Sequence, residues 1–217
     1  MRRGTAAVGR FSPENVAAVK PHVFDAEPFV EAYRRWSGRA VQQLRSGERK
    51  FHWAVKLFPS PPHVYDQQLV SNLGVDKYCL CDPPPHPPER GVVAARAFLA
   101  HADGVRLRDG YVALCRELCA VIDTPVPPVG PVGVTECFKM LSSFHTFAEA
   151  TADGRDPELY ALCTRLKTDL PPAWPLPAAA LENWDPASRL RRVDRRLPYG
   201  DIHRVEPVGR DSRLPSR

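Results

Sequence analysis

Between Asp109 and Thr151 the apolar positions recur at three- and four-residue steps, stop at a proline-glycine break, and resume. In the first half Val112, Cys115, Cys119 and Ile122 set the step, with Tyr111, Leu114, Leu118 and Val121 beside them. That is the period of a helix burying a broad stripe. Asp109 is the expected N-cap, since its carboxylate can accept a first-turn N–H. Thr124-Pro125 should end the run, because the residue before proline is pushed out of helical space. Val134, Cys137, Phe138, Leu141, Phe144, His145 and Ala148 repeat the pattern, and Asp153-Gly154 stops it. The connection VPPVGP fixes several consecutive φ angles and should act as a stiff joint. The pattern predicts a helix pair over 109–123 and 134–151.

The same reasoning places flanking elements. Ser12-Pro13-Glu14 predicts a short helix start. Asp25-Ala26-Glu27-Pro28 opens another, in which Phe29, Tyr33, Trp36, Ala40 and Leu44 share one face and Arg34, Arg35, Arg39 and Arg45 lie mostly off it. A basic amphipathic helix of this kind suits a membrane surface or nucleic acid, or is an ordinary surface helix packed by its aromatic stripe. In Lys50–Phe58, Phe51, Trp53, Val55 and Leu57 alternate with His52, Ala54 and Lys56, which suggests a strand, with helix continuation the alternative for so short a segment. Val64–Leu73 fits a brief helix closed by Gly74. From Pro83, five of six residues are proline, so 82–88 is expected to run extended, without internal hydrogen bonds, as a connector outside the core. Glu89–His101 returns to helix. Asp156-Pro157-Glu158 is the clearest helix start, leading Leu159, Leu162, Cys163 and Leu166 onto one stripe.

After Leu170 the period is lost, and prolines stand at 171, 172, 175, 177, 186, 198, 207 and 215. Trp174, Trp184, Tyr199 and Ile202 are spaced along this segment, and solvated tails are poor in such residues. Charge sharpens the division. Residues 1–11 carry three Arg and no acid, and residues 170–217 carry nine Arg against six acids. With a net charge of +5 on 217 residues, the stretch 12–169 holds −1. The expected architecture is therefore mainly α: a small irregular helical body over 12–169, a basic arm over 1–11, and an extended basic arm over 170–217. Basic arms suit RNA, anionic lipid or acidic protein neighbours.

Candidate chemistry changes this picture little. Cys79 and Cys81, with His63 and His86 near in sequence, carry zinc-type donors, but the spacing departs from the familiar two-residue gap. Cys115, Cys119 and Cys137, with His145, could converge across the helix pair, although cysteine in an apolar stripe behaves as a small hydrophobe. Glu117 and Asp123 lie among arginines and read as surface charge. Gly130-Pro-Val-Gly133 is too proline-bound to cradle phosphate. No motif specifies a catalytic constellation, a metal or a cofactor. Six cysteines in apolar stripes point to buried thiols in a reducing compartment.

No apolar run reaches membrane-spanning length and no signal-peptide core is visible. The start is Arg-rich and acid-free until Glu14, as in a mitochondrial targeting segment. These features lead to an expected accessory subunit without catalysis, in a mitochondrial respiratory-chain or ATP-synthase complex, whose arms pack on neighbouring subunits. The partner-binding residues would be Trp174, Trp184, Arg189, Arg191, Arg192, Arg195, Arg196 and Tyr199. An RNA-contacting ribosomal protein and a thiol or zinc enzyme are the alternative readings.

Overall fold

Apolar stripes at helical period can be buried only by packing helices on one another, and that is the architecture found. The computed structural model describes residues 23–46, 53–65, 68–70, 76–102, 104, 106–124 and 134–173. Its helices are α1 (Glu27–Ser46), α2 (Ala54–Leu57), α3 (Val92–Ala100), α4 (Leu107–Ile122), α5 (Val134–Thr151) and α6 (Pro157–Ala173). Strands β1 (His63–Tyr65) and β2 (Gln68–Val70) form an antiparallel hairpin with Val64 opposite Leu69. The start at 12–20, the joint at 125–133, the arm over 1–11 and the arm from 174 on lie outside the described residues; residues 170–173, expected in the extended arm, instead continue α6, with Leu170 buried in the core.

Several helix ends follow directly from the sequence. Asp25 accepts the Glu27 amide at 3.0 Å, and Asp156 accepts that of Leu159 at 3.1 Å. Each supplies an acceptor to a first-turn N–H that has no partner within the helix. Gly154, at φ 82°, closes α5 in left-handed space. Asp109 is not the cap expected of it. The helix begins two residues earlier, at Leu107, so Asp109 falls in the first turn, where it pairs with Arg106 and Arg108.

Two local expectations are overturned. Lys50–Phe58 is not a strand where described: Ala54–Leu57 is a single helical turn, with Trp53, Leu57 and Phe58 buried. Alternation over so few residues cannot separate a strand from one turn leading into an extended residue. Val64–Leu73 is not a helix where described, because the backbone pairs as β1 and β2.

The proline-rich connector is also not an extended strap. The His86 amide bonds back to the Pro83 carbonyl, Pro88–Arg90 forms a 3-10 turn, and Leu80, Cys81 and Asp82 are buried. The loop ends at Gly91, at φ 67°, where a Cβ would fall 2.8 Å from the Leu80 carbonyl oxygen. Only glycine fits there without strain. The prolines give up few amides, so the loop needs few acceptors of its own. Asp82 instead turns both carboxylate oxygens to α3, accepting from Val92 at 3.0 Å and Ala94 at 2.9 Å. A residue ten positions upstream thus does the work of an N-cap.

Helices α4 and α5 meet through long side chains. Tyr111 and Phe147 lie 4.3 Å apart between ring centroids, and the Tyr111 hydroxyl sits 2.8 Å from Ser143 Oγ. The tightest backbone neighbours of α5 are α6 and α3, while α4 lies against α1 and α6. At the α1–α4 crossing a Cβ on Gly110 would come within 2.6 Å of the Tyr33 ring. Around this crossing Phe29, Tyr33, Phe58, Phe98, Tyr111, Phe144 and Phe147 form a continuous aromatic core. Its polar atoms are satisfied: the Tyr33 hydroxyl donates to the Leu57 carbonyl and the Trp53 indole N–H to Gln43 Oε1.

The outer faces of α4 and α6 are joined by charge. Arg108 grips Asp156 with two bonds, at 2.8 and 2.9 Å, and reaches Glu158, which also meets Arg116. The hydrogen bond from Arg108 holds the Asp156 carboxyl below its ordinary range. A carboxyl depressed by folding stabilises the folded state above its unfolded value of about 4, and that contribution is lost as pH falls through the folded value. Asp156→Asn should therefore lower stability by about 1 kcal/mol at pH 7, since asparagine still caps and the pair is partly hydrated. The gap between variant and wild type should begin to narrow as pH falls below about 4 and close only below the depressed folded value, where both side chains are neutral. Urea midpoints at pH 7, 5, 4 and 3 check this; a gap constant with pH would remove the ion pair as its cause.

Candidate functional site

The residues expected to bind partners, Trp174, Trp184, Arg189, Arg191, Arg192, Arg195, Arg196 and Tyr199, all lie outside the described residues. The cysteine candidates are described, and all six are buried. Cys115 lies close to Cys163 of α6 and to Cys119. Cys137 of α5 is buried as well. Burial, above all, pushes the Cys115 thiol up, and the Cys163 contact adds to it. Burial also raises Cys119, against the opposing pull of Arg165. Activation of a thiol nucleophile requires the opposite shift. Among the described residues no group of three or more His, Cys, Asp or Glu is arranged to hold a metal ion.

The carboxylates read as surface charge are engaged in that way. Glu117 accepts two bonds from Arg45, at 2.6 and 2.8 Å, and Asp123 meets Arg165. Arg90 pairs with Glu149, Arg96 with Asp153, and Arg155 with Asp153. Through these pairs the arginines of α4, α6 and the α5–α6 turn are largely neutralised by acids of the body itself.

One face of α1 is different. Trp36 is half-buried against the core, and its ring is surrounded by cations: Arg35 at 5.0 Å, Lys56 at 5.1 Å and Arg39 at 5.9 Å from the ring centroid. Arg34 is not one of them; its guanidinium lies over the turn at Gly104. Arg34, Arg35 and Arg39 are exposed. Among the described residues none of the three cations at Trp36 forms an ion pair, in contrast to Arg45 on the same helix. The indole face attracts cations, which offsets part of their mutual repulsion and holds them together. A guanidinium stacked on a ring keeps its in-plane N–H donors free for an anion.

The sequence shows the basic side of α1 but misses the site. Arg35 and Arg39 flank Trp36 at one residue before and three after, a signal open to inspection. Lys56 joins them only because α2 packs on α1, and its helical turn was expected to be a strand. Compared with protein-family models, characterised proteins and solved structures, the chain matches none.

Proposed function

We propose that the protein is a structural subunit of a larger assembly, without catalysis of its own, with the helical body as a rigid mount and the proline- and arginine-rich segment after 170 as the part spread over neighbours. The observation that supports this is how the body uses its apolar surface. The stripes of α1, α3, α4, α5 and α6 all enter one core. Among the residues whose side chains are described, only Val23 and Tyr160 are large apolar side chains left exposed. Partner recognition by this surface is then electrostatic, while Trp174, Trp184 and Tyr199 are apolar anchors carried by the arm. A mitochondrial respiratory-chain or ATP-synthase complex is the setting in which we place it, on the composition of the opening residues. An RNA-containing assembly is the second reading, and the unneutralised cations around Trp36 favour it.

Sedimentation of a gently prepared native extract tests the proposal. The chain should run in a stable particle many times its own 24.2 kDa mass. The double change Trp174→Ala and Trp184→Ala should release it to the top of the gradient, because loss of anchor residues typically costs more than 1 kcal/mol each. A chain that sediments at its own mass, or a particle unaffected by both changes, would overturn it. Nuclease treatment that dissolves the particle would select the second reading.

A further inference from the structure

We propose that the face of α1 built by Arg35, Trp36 and Arg39, completed by Lys56 of α2, is a contact for the phosphodiester backbone of single-stranded RNA. The inference deepens the second reading above and rests on it. It starts from an asymmetry on the body. Arginines of α4, α6 and the α5–α6 turn have acid partners at hydrogen-bond distance, whereas the three cations at Trp36 have none among the described residues. Even Glu31, one turn before Arg35, forms no ion pair with it among those residues. Like charges gathered within about 6 Å of one ring repel one another, and an anion arriving there relieves the repulsion.

The chemistry of that anion can be narrowed. An anionic membrane surface would require α1 to bury an apolar face in the headgroup boundary. That face is already occupied, since Phe29, Tyr33, Ala40 and Leu44 are fully buried in the core. A base stacked on the indole would have to displace the cations that ring it, so base stacking is not the mode of contact. What is presented is a row of donors: Arg35 and Arg39 stand one helical turn apart, about 5.4 Å along the axis, with Lys56 of α2 over the same ring. Such a row matches a strand carrying charge at regular intervals. Binding a polyphosphate releases condensed counterions, a gain that grows with each cation engaged and that a short carboxylate segment does not provide. The basic segments at 1–11 and 170–217 extend the same charge along the chain and suit a long polyanion over a local one.

Fluorescence anisotropy of a labelled 20-nucleotide oligouridine with the full chain tests the proposal, over 50–300 mM salt. The variant is Arg35→Gln, Arg39→Gln and Lys56→Gln. The control removes equal charge at Arg116→Gln, Arg155→Gln and Arg165→Gln, with circular dichroism confirming that both fold. Loss of three phosphate contacts should flatten the slope of log affinity against log salt by about 2, and weaken binding roughly tenfold at moderate salt. The control should move affinity less than about twofold. Equal losses in variant and control would overturn the assignment, as would oligoglutamate or phosphatidylserine vesicles binding more tightly than the RNA. Should the triple variant unfold, Arg39→Gln alone must lower the slope by about 0.7. An RNA-binding failure with the large particle intact removes this contact and leaves the assembly proposal standing; sedimentation as a single chain removes the latter.

Discussion

Phe98→Ala should lower the stability of the body by about 3–5 kcal/mol, enough to unfold a domain of ordinary marginal stability at 37 °C. The side chain is fully buried in the last turn of α3. Its ring contacts four others, Phe29 at 5.5 Å, Tyr33 at 6.1 Å, Tyr111 at 6.2 Å and Phe147 at 5.3 Å, each edge to face. These belong to α1, α4 and α5, so one ring ties three helices to α3. Edge-to-face pairs add about 0.5–1.5 kcal/mol beyond the burial of area. Truncation removes the transfer energy of the ring and leaves a cavity that large, interlocked rings cannot collapse into. Phe98→Leu keeps most of the volume and should cost less than half as much. Tyr160→Ala, at 43% exposure on α6, should change stability by less than about 0.5 kcal/mol. Urea denaturation followed by circular dichroism measures all three. A loss below about 1 kcal/mol for Phe98→Ala would show that the four-ring junction does not hold the helices together.

Phe98 also illustrates how far the chain could be read before its structure. Its helix was legible, because helix starts and stops are local chemistry. Asp25, Asp156 and Gly154 act within a few residues of themselves, and each lies where its type predicts. Helical period likewise marks which side of α4, α5 and α6 is buried. It does not say against what. Cys115 could face Cys137 of α5 on its spacing, but nothing in that spacing shows that Cys163 of α6 lies beside it. The ion pairs are less legible still: Arg45 and Glu117 are 72 residues apart, and Arg108 and Asp156 are 48 apart. Long-range pairing decides which arginines are spent on the fold. The remainder, around Trp36, become visible only after those pairs are known. A charge count along the chain cannot find them, because residues 12–169 sum to nearly zero whether the charges are paired or segregated.

The proline-rich loop shows the same limit in sharper form. Its composition argues against hydrogen bonding within itself, yet the His86 amide bonds to the Pro83 carbonyl and the Asp82 amide to that of Pro88. Composition says nothing of what the loop does for its neighbours. Asp82→Ala should lower stability by about 2–4 kcal/mol, a large loss for one polar side chain. The carboxylate is 1% exposed and accepts both the Val92 and Ala94 amides. Alanine would leave these first-turn donors without an acceptor, and the Ala94 amide is buried where water cannot replace it. The negative charge at the N-terminal end of α3 would go with them, and it interacts favourably with the helix dipole. Gly91 cannot take over, having no side chain. Asp82→Asn keeps one acceptor and no charge, and should fall between the two. Hydrogen exchange gives the local signature: the amides of 92–95 should lose protection in Asp82→Ala under conditions where those of α5 remain protected. Leu80 and Cys81 are buried next to this carboxylate, so the loop should loosen with it. Uniform loss of protection across the helices, or none, would mean that the loop is a passive crossing and that α3 draws its stability from Phe98 alone.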